Sequence, residues 1–134
     1  MKIIDEAKSI SAIISLIESA EKFVVIVSPY TDLKGWEKLK NAINEASQRG
    51  IKVSYYVRKE EGVEGTEDLD VDLFEVANLH SKMFFTEQEA IIGSAHLKYN
   101  KDINWTYSLD FPNEYNDMLN FFNKNIKATA IKSR

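Results

Sequence analysis

The sequence predicts an α/β fold, a mixed β-sheet flanked by helices, built as one domain over residues 1–134. Three observations predict it. Short β-branched apolar runs alternate with amphipathic helical stretches through the first half of the chain. Two further apolar runs are separated by only a polar turn, as in a hairpin. Finally, 44% hydrophobic residues in 134 suffice for one substantial core and argue against disorder.

From Asp5 to Ala20, Ile10, Ile13, Ile14 and Ile17 recur at helical spacing, with Ser9 and Ser11 tolerated on the same stretch. Lys22 to Ser28 carries Phe23-Val24-Val25-Ile26-Val27, too short for a helix and suited to a strand buried on both faces, and Pro29 ends it. Leu33 to Arg49 repeats the helical pattern through Trp36, Leu39, Ala42, Ile43 and Ala46, with Gly50 placed as its C-terminal cap. Ile51 to Val57 alternates as a second strand, so the segment reads as strand, helix, strand with a right-handed crossover. Leu69 to Val76 is expected as a third strand. The strand carrying His80 continues through Met83-Phe84-Phe85-Thr86, turns at Glu87-Gln88-Glu89 and returns through Ala90-Ile91-Ile92. A connection through Tyr99-Asn100-Lys101 leads to a strand over Trp105–Phe111 and a last helix over Pro112–Lys127. Trp36, Trp105, Phe84 and Phe85 read as core and hairpin packing rather than as base-stacking platforms.

Composition narrows the setting. The absence of Cys removes disulfides, thiolate nucleophiles and zinc–cysteine sites, and fits a reducing cytoplasm. Acidic Asp5 and Glu6 follow Met1 too soon for a signal peptide, and no apolar run approaches the ~20 residues of a membrane span, so no membrane insertion is expected. Net charge is −4, with the acidic excess concentrated between Glu60 and Asp70, where polyanions should be repelled. The basic residues are scattered; Arg58-Lys59 and Lys98 with Lys101 are the local groups available to a phosphate backbone, which keeps nucleic acid among the possible partners.

The chemistry concentrates in His80-Ser81-Lys82 and, after the turn, Gly93-Ser94. On an extended strand His80 and Lys82 share a face while Ser81 points away. The hairpin then returns Gly93-Ser94 beside an imidazole and a cation, which suits a phosphate-type site. A lone strand histidine is ordinarily structural, Gly93 alone could mark a bulge, and Ser94 alone a turn hydroxyl; the combination carries the signal. A two-histidine metal site from His80 and His96 has no acidic third ligand at short spacing, and Lys82 would repel a dication, so neither metal nor cofactor is expected.

At these residues the chain resembles the phospholipase D superfamily, whose signature is H-x-K-x4-D, a further strand and then G-S-x-N. His80, Lys82, Gly93 and Ser94 match. Glu87 stands where the family usually has a largely structural Asp, and His96 where it has the Asn of G-S-x-N. Asn104-Trp105-Thr106 falls where many members carry Asn-x-Glu, so Thr106 replaces the carboxylate that orients the nucleophile. The resemblance implies a phospholipase D-like fold and a metal-independent phosphodiesterase, first of all a nuclease. In that reading His80 and Lys82 are catalytic, Ser94, His96 and Asn104 bind the substrate phosphate, and Glu87, Gly93 and Thr106 support the site. One motif supplies one nucleophilic His, so the resemblance also implies a homodimer sharing two copies of His80, with a phosphohistidine intermediate. The sequence itself offers another arrangement, in which His80 and His96 of one chain form the nucleophile and acid. Two rival readings are a catalytically degenerate binding or regulatory module, which Thr106, His96 and the acidic segment favour, and a phosphodiesterase for small nucleotides or lipid headgroups.

Overall fold

The computed structural model describes residues 1–61, 63–94, 96–97 and 105–134. In chain order the elements are β1 (Lys2–Ile4), α1 (Ser9–Ser19), β2 (Phe23–Val27), β3 (Thr31–Asp32), α2 (Glu37–Gln48), β4 (Lys52–Arg58), β5 (Val63–Glu64), β6 (Asp72–Val76), β7 (Met83–Thr86), β8 (Ala90–Gly93), β9 (Thr106–Ser108), α3 (Pro112–Asn125) and β10 (Ile131–Lys132). Eight strands form one sheet in the order β1-β9-β8-β7-β2-β4-β6-β10, and β3 pairs with β5 in a small parallel ladder. The sheet is mixed: β2, β4 and β6 run parallel, whereas β7 joins β2 antiparallel and opens a run of antiparallel neighbours.

Alternation along each strand divides the core. Val24, Ile26, Val53, Tyr55 and Phe84 face one way and are covered by Ile13, Leu16 and Ile17 of α1 and Leu39 and Ile43 of α2. Val25, Val27, Tyr56, Met83 and Phe85 face the other way and meet Met118 and Phe122 of α3. Each fully buried aliphatic or aromatic side chain contributes about 1.5–3 kcal/mol, and a one-residue slip of β2 would exchange its two sets of partners.

Several sequence expectations shift at their edges. The first helix opens with a 3-10 turn at Glu6–Lys8, where Asp5 accepts from the Ala7 amide, and becomes α-helical only at Ser9. The strand expected from Leu69 begins at Asp72, because Leu69 closes a turn on the Thr66 carbonyl and the Asp70 carboxylate and amide are held by Ser47 and Asn44 of α2. The strand expected to contain His80 begins at Met83, the last residue with a partner on β2, Val27. The Trp105–Phe111 strand contracts to Thr106–Ser108. Trp36, Phe84 and Phe85 lie in the core, whereas Trp105, expected as core or hairpin packing, is 52% exposed and meets the Tyr107 ring at 65°, outside the core. Charges of the acidic segment are tied to α2 and the chain before it: Glu64 pairs with Lys34, and Asp68 lies 3.1 Å from the ammonium of Lys40.

Gly93 answers a steric demand rather than a conformational one. A Cβ built there would lie 2.3 Å from the Trp105 carbonyl oxygen and 2.8 Å from Thr106 Cα, because β9 pairs with β8 at this residue and its backbone approaches closely. Gly93→Ala should therefore push β9 off β8 and cost about 1–3 kcal/mol of stability, read as a lowered midpoint in urea denaturation.

Candidate active site

Parallel strands of an open α/β sheet present ligand sites at their carboxyl ends, and the candidate residues gather at that edge. β2 ends at Val27 beside Met83, the first residue of β7, and the chain then continues through Ser28, whose amide donates to the Tyr56 carbonyl at 3.0 Å. The Ser28 hydroxyl is fully buried; it donates to the Tyr30 carbonyl at 3.0 Å and accepts from the Leu97 amide at 2.7 Å. The Leu97 carbonyl in turn accepts from the Asp32 amide at 3.0 Å. These bonds pin the segment that follows Gly93-Ser94 onto the end of the central strand.

His96 sits on that pinned segment. The edge of the Tyr30 ring packs against it, with centroids 4.9 Å apart and planes at 75°. The rings of His80 and His96 are 6.4 Å apart between centroids. His80 is exposed and makes no hydrogen bond among the described residues, whereas His96 is half-buried. Lys82 lies opposite Gly93, its carbonyl 3.4 Å from the Gly93 amide, and among the described residues no carboxylate pairs with its ammonium. Partial burial pulls that ammonium below its ordinary range. Ser94 is held against β9: its amide donates to the Trp105 carbonyl at 2.9 Å, and its hydroxyl accepts from the Trp105 amide at 3.0 Å.

Two of the sequence-selected residues lie elsewhere. Glu87 closes the far end of β7, about 17 Å from Lys82 along an extended chain. Its carboxylate accepts from the Lys22 amide at 2.9 Å, from Phe23 at 3.2 Å and from Glu21, tying the hairpin turn to the start of β2. Thr106 is fully buried and shares a 2.9 Å hydrogen bond with the hydroxyl of Ser9 on α1. Asn104, the Tyr99-Asn100-Lys101 connection and the basic pair Lys98 and Lys101 lie outside the described residues.

Sequence reasoning passed over one support of the site, Ser28, whose signal was a small hydroxyl residue between a buried strand and Pro29. Arg58, expected with Lys59 as a group for a phosphate backbone, is a second support. Its guanidinium donates to the carbonyl of Leu79 at 2.9 Å, bracing the peptide immediately before His80, and Glu61 lies 3.9 Å from its Nε. Its place at the carboxyl end of β4 was legible; its reach to Leu79 requires the β4–β6 pairing.

Solved structures share this architecture. Nuc from Salmonella typhimurium, a phospholipase D family member, superposes with a TM-score of 0.74 at 14% identity, covering 99% of this chain and 95% of that one. NucT from Helicobacter pylori gives 0.80 at 13% identity, covering 98% of both chains. Phosphatidylserine synthase from Haemophilus influenzae gives 0.71 at 16% identity, with 96% of this chain aligned to 38% of the synthase. The chain therefore shares the fold of these structures, a phospholipase D-like fold. No protein-family model and no curated protein matches the sequence.

The setting of Glu87 has a pH signature. Burial opposes its ionisation, but the amides of Lys22, Phe23 and Glu21 outweigh this and hold the carboxyl below its usual range. A carboxyl depressed on folding stabilises the fold above its ordinary pKa, and that contribution is lost as pH falls through the lowered value. Glu87→Gln should remove this part of the acid dependence while leaving the rest of the stability–pH curve, measured by urea denaturation between pH 3 and 7, in place.

Proposed function

We propose that this chain is a metal-independent phosphodiester hydrolase of nuclease type, acting in the cytoplasm as a homodimer through a phosphohistidine on His80. The single observation that carries the proposal is the gathering of His80, Lys82, Ser94 and His96 at the carboxyl edge of β2 and β4. The likeness of the fold to the phospholipase D family member Nuc supports the same chemistry.

In the first half-reaction a neutral nitrogen of His80 attacks phosphorus, a P–N bond forms, and the leaving oxygen departs with the electron pair of the broken P–O bond and a proton from a second imidazole. Water then attacks phosphorus in line, returns a proton to that imidazole and releases His80. Lys82, Ser94 and Asn104 supply positive charge and hydrogen bonds to the non-bridging oxygens, where negative charge must be held as the bond to phosphorus changes hands.

The dimer has a physical motive in the sheet. Two helices cover one face and α3 alone covers the other, leaving a groove of about 550 Å³ lined by Phe23, Tyr56, Phe74 and Phe122 on one flank of α3. On that helix and at the sheet's other margin, Phe121, Ile3 and Trp105 are 46–60% exposed. A mixed sheet with parallel strands ordinarily has both faces covered, and a second copy would cover this one. Such a dimer can also bring the partner's His80 to the site.

A second reading, a binding module that has lost catalysis, is favoured by one observation: the Thr106 hydroxyl is engaged with Ser9 instead of orienting His80. Hydrolysis in EDTA separates the two. Wild-type protein should cleave both labelled single-stranded DNA and a chromogenic phosphodiester, His80→Ala should be inactive, and Lys82→Met should lose about 10²–10³-fold in kcat. Inert wild-type protein that still binds DNA in a salt-dependent way would establish the binding module. Turnover of the chromogenic diester alone would move the substrate to small phosphodiesters, and activity abolished by EDTA would overturn the metal-free mechanism.

A further inference from the structure

The geometry points to His96 as the second imidazole of the reaction, completing the nucleophile–acid pair with His80 inside one protomer. This rests on the phosphodiesterase reading and goes further, because it removes the need for a histidine from the partner subunit.

In-line displacement sets a length. An attacking nitrogen stands about 3–3.5 Å from phosphorus and an acid nitrogen about 2.6–3.2 Å from the leaving oxygen; with the breaking bond between them, the two nitrogens lie about 6–8 Å apart. The imidazoles of His80 and His96 have centroids 6.4 Å apart. Ring nitrogens lie about 1 Å from their centroids, so the pair spans this distance without backbone movement. The rings are inclined at 60° rather than stacked, so they need not present their faces to each other.

Placement is as important as separation. An acid must be held while the nucleophile is left able to attack, and the two histidines differ in that sense. His96 is half-buried against the Tyr30 ring, and both neighbours of that contact are fixed by the Ser28 hydroxyl: the Tyr30 carbonyl accepts its proton and the Leu97 amide donates to it. His80 is exposed and, among the described residues, is braced through the Leu79 carbonyl that Arg58 holds. Lys82, across from Gly93, flanks the same edge and supplies positive charge for the non-bridging oxygens, and Ser94, two residues before His96, anchors the edge to Trp105.

The steps balance within the protomer. His80 forms the P–N bond as the P–O bond breaks, and protonated His96 gives its proton to the departing alkoxide. Neutral His96 then takes a proton from the attacking water as the P–N bond breaks, which restores both imidazoles.

His96→Asn separates this role from a structural one, since Asn keeps a donor for a phosphoryl oxygen but transfers no proton. On DNA, whose alkoxide must be protonated, kcat should fall about 10²–10⁴-fold with little change in KM. On bis(p-nitrophenyl) phosphate, whose nitrophenolate leaves without a proton, the variant should release a rapid burst and then stall, with phosphorylated His80 accumulating and detected by mass spectrometry after quenching. His96→Gln serves as a second variant, and circular dichroism checks the folding of both. Co-expressing His80→Ala with His96→Asn should restore no activity, because no protomer then carries both imidazoles. Wild-type turnover by folded His96→Asn, equal loss of burst and turnover on both substrates in the folded variants, or recovery of activity on co-expression would each overturn the inference. Wild-type protein inert on both substrates would instead overturn the phosphodiesterase reading beneath it.

Discussion

The antiparallel join of β7 to β2 is the constraint from which the rest of the structure follows. On one side of β2 the chain returns through α2 to β4 and then through the segment that carries β5 to β6, so β2, β4 and β6 run parallel and deliver their carboxyl ends to one edge. On the other side β7 runs the opposite way, so its beginning, and not its end, arrives at that edge beside Val27. The hairpin then brings the end of β8 back to it. Three segments distant in sequence, around residues 28, 80 and 93, thus meet because one central strand is paired parallel on one side and antiparallel on the other. The pairing is held by burial on both faces of β2, where Val24 and Ile26 face α1 and α2 while Val25 and Val27 face α3.

Division of labour between the two ends of β7 follows from the same geometry. At the end remote from the candidate site, Glu87 gathers three amides at the turn into β2 and locks the hairpin to the central strand. A carboxylate in that position accepts several backbone donors at once, which neither Gln nor Thr could do with charge. At the other end His80 is left exposed, outside the ladder, and fixed through its neighbour's carbonyl. The peptide before His80 is thus braced by Arg58 while the imidazole itself faces solvent, at the start of a strand whose other end is locked by Glu87.

Much of this was legible in the sequence because it depends on periodicity. The helices around Ile13 and Ile43, the buried strand Phe23–Val27 and the hairpin around Glu87-Gln88-Glu89 all carry local patterns strong enough to place them. The short edge strands at Lys2–Ile4, Thr31–Asp32, Val63–Glu64 and Ile131–Lys132 were missed, since strands of two or three residues are created by a neighbour's free backbone groups rather than by their own side chains. Trp105 was misplaced for a related reason: its size argues for burial, but one helix cannot cover the outer strands of that face. The site was legible as residue types and spacing. Its supports were not, because the Ser28 hydroxyl and the Arg58 guanidinium act on backbone atoms of Leu97 and Leu79, contacts with no sequence pattern.

The two departures at the site, Thr106 and His96, are best understood together. In the family pattern a carboxylate orients the nucleophilic imidazole, and an amide at the position of His96 binds phosphate. Here the first group is turned into the fold, its hydroxyl paired with Ser9 on α1, so it lends neither charge nor orientation to His80. The imidazole of His96 has its centroid 6.4 Å from that of His80, on a segment fixed by Ser28. The proposed mechanism depends on both departures: with the Thr106 hydroxyl turned into the fold, proton transfer is assigned to His96, whose place beside Tyr30 is set by the buried Ser28 hydroxyl.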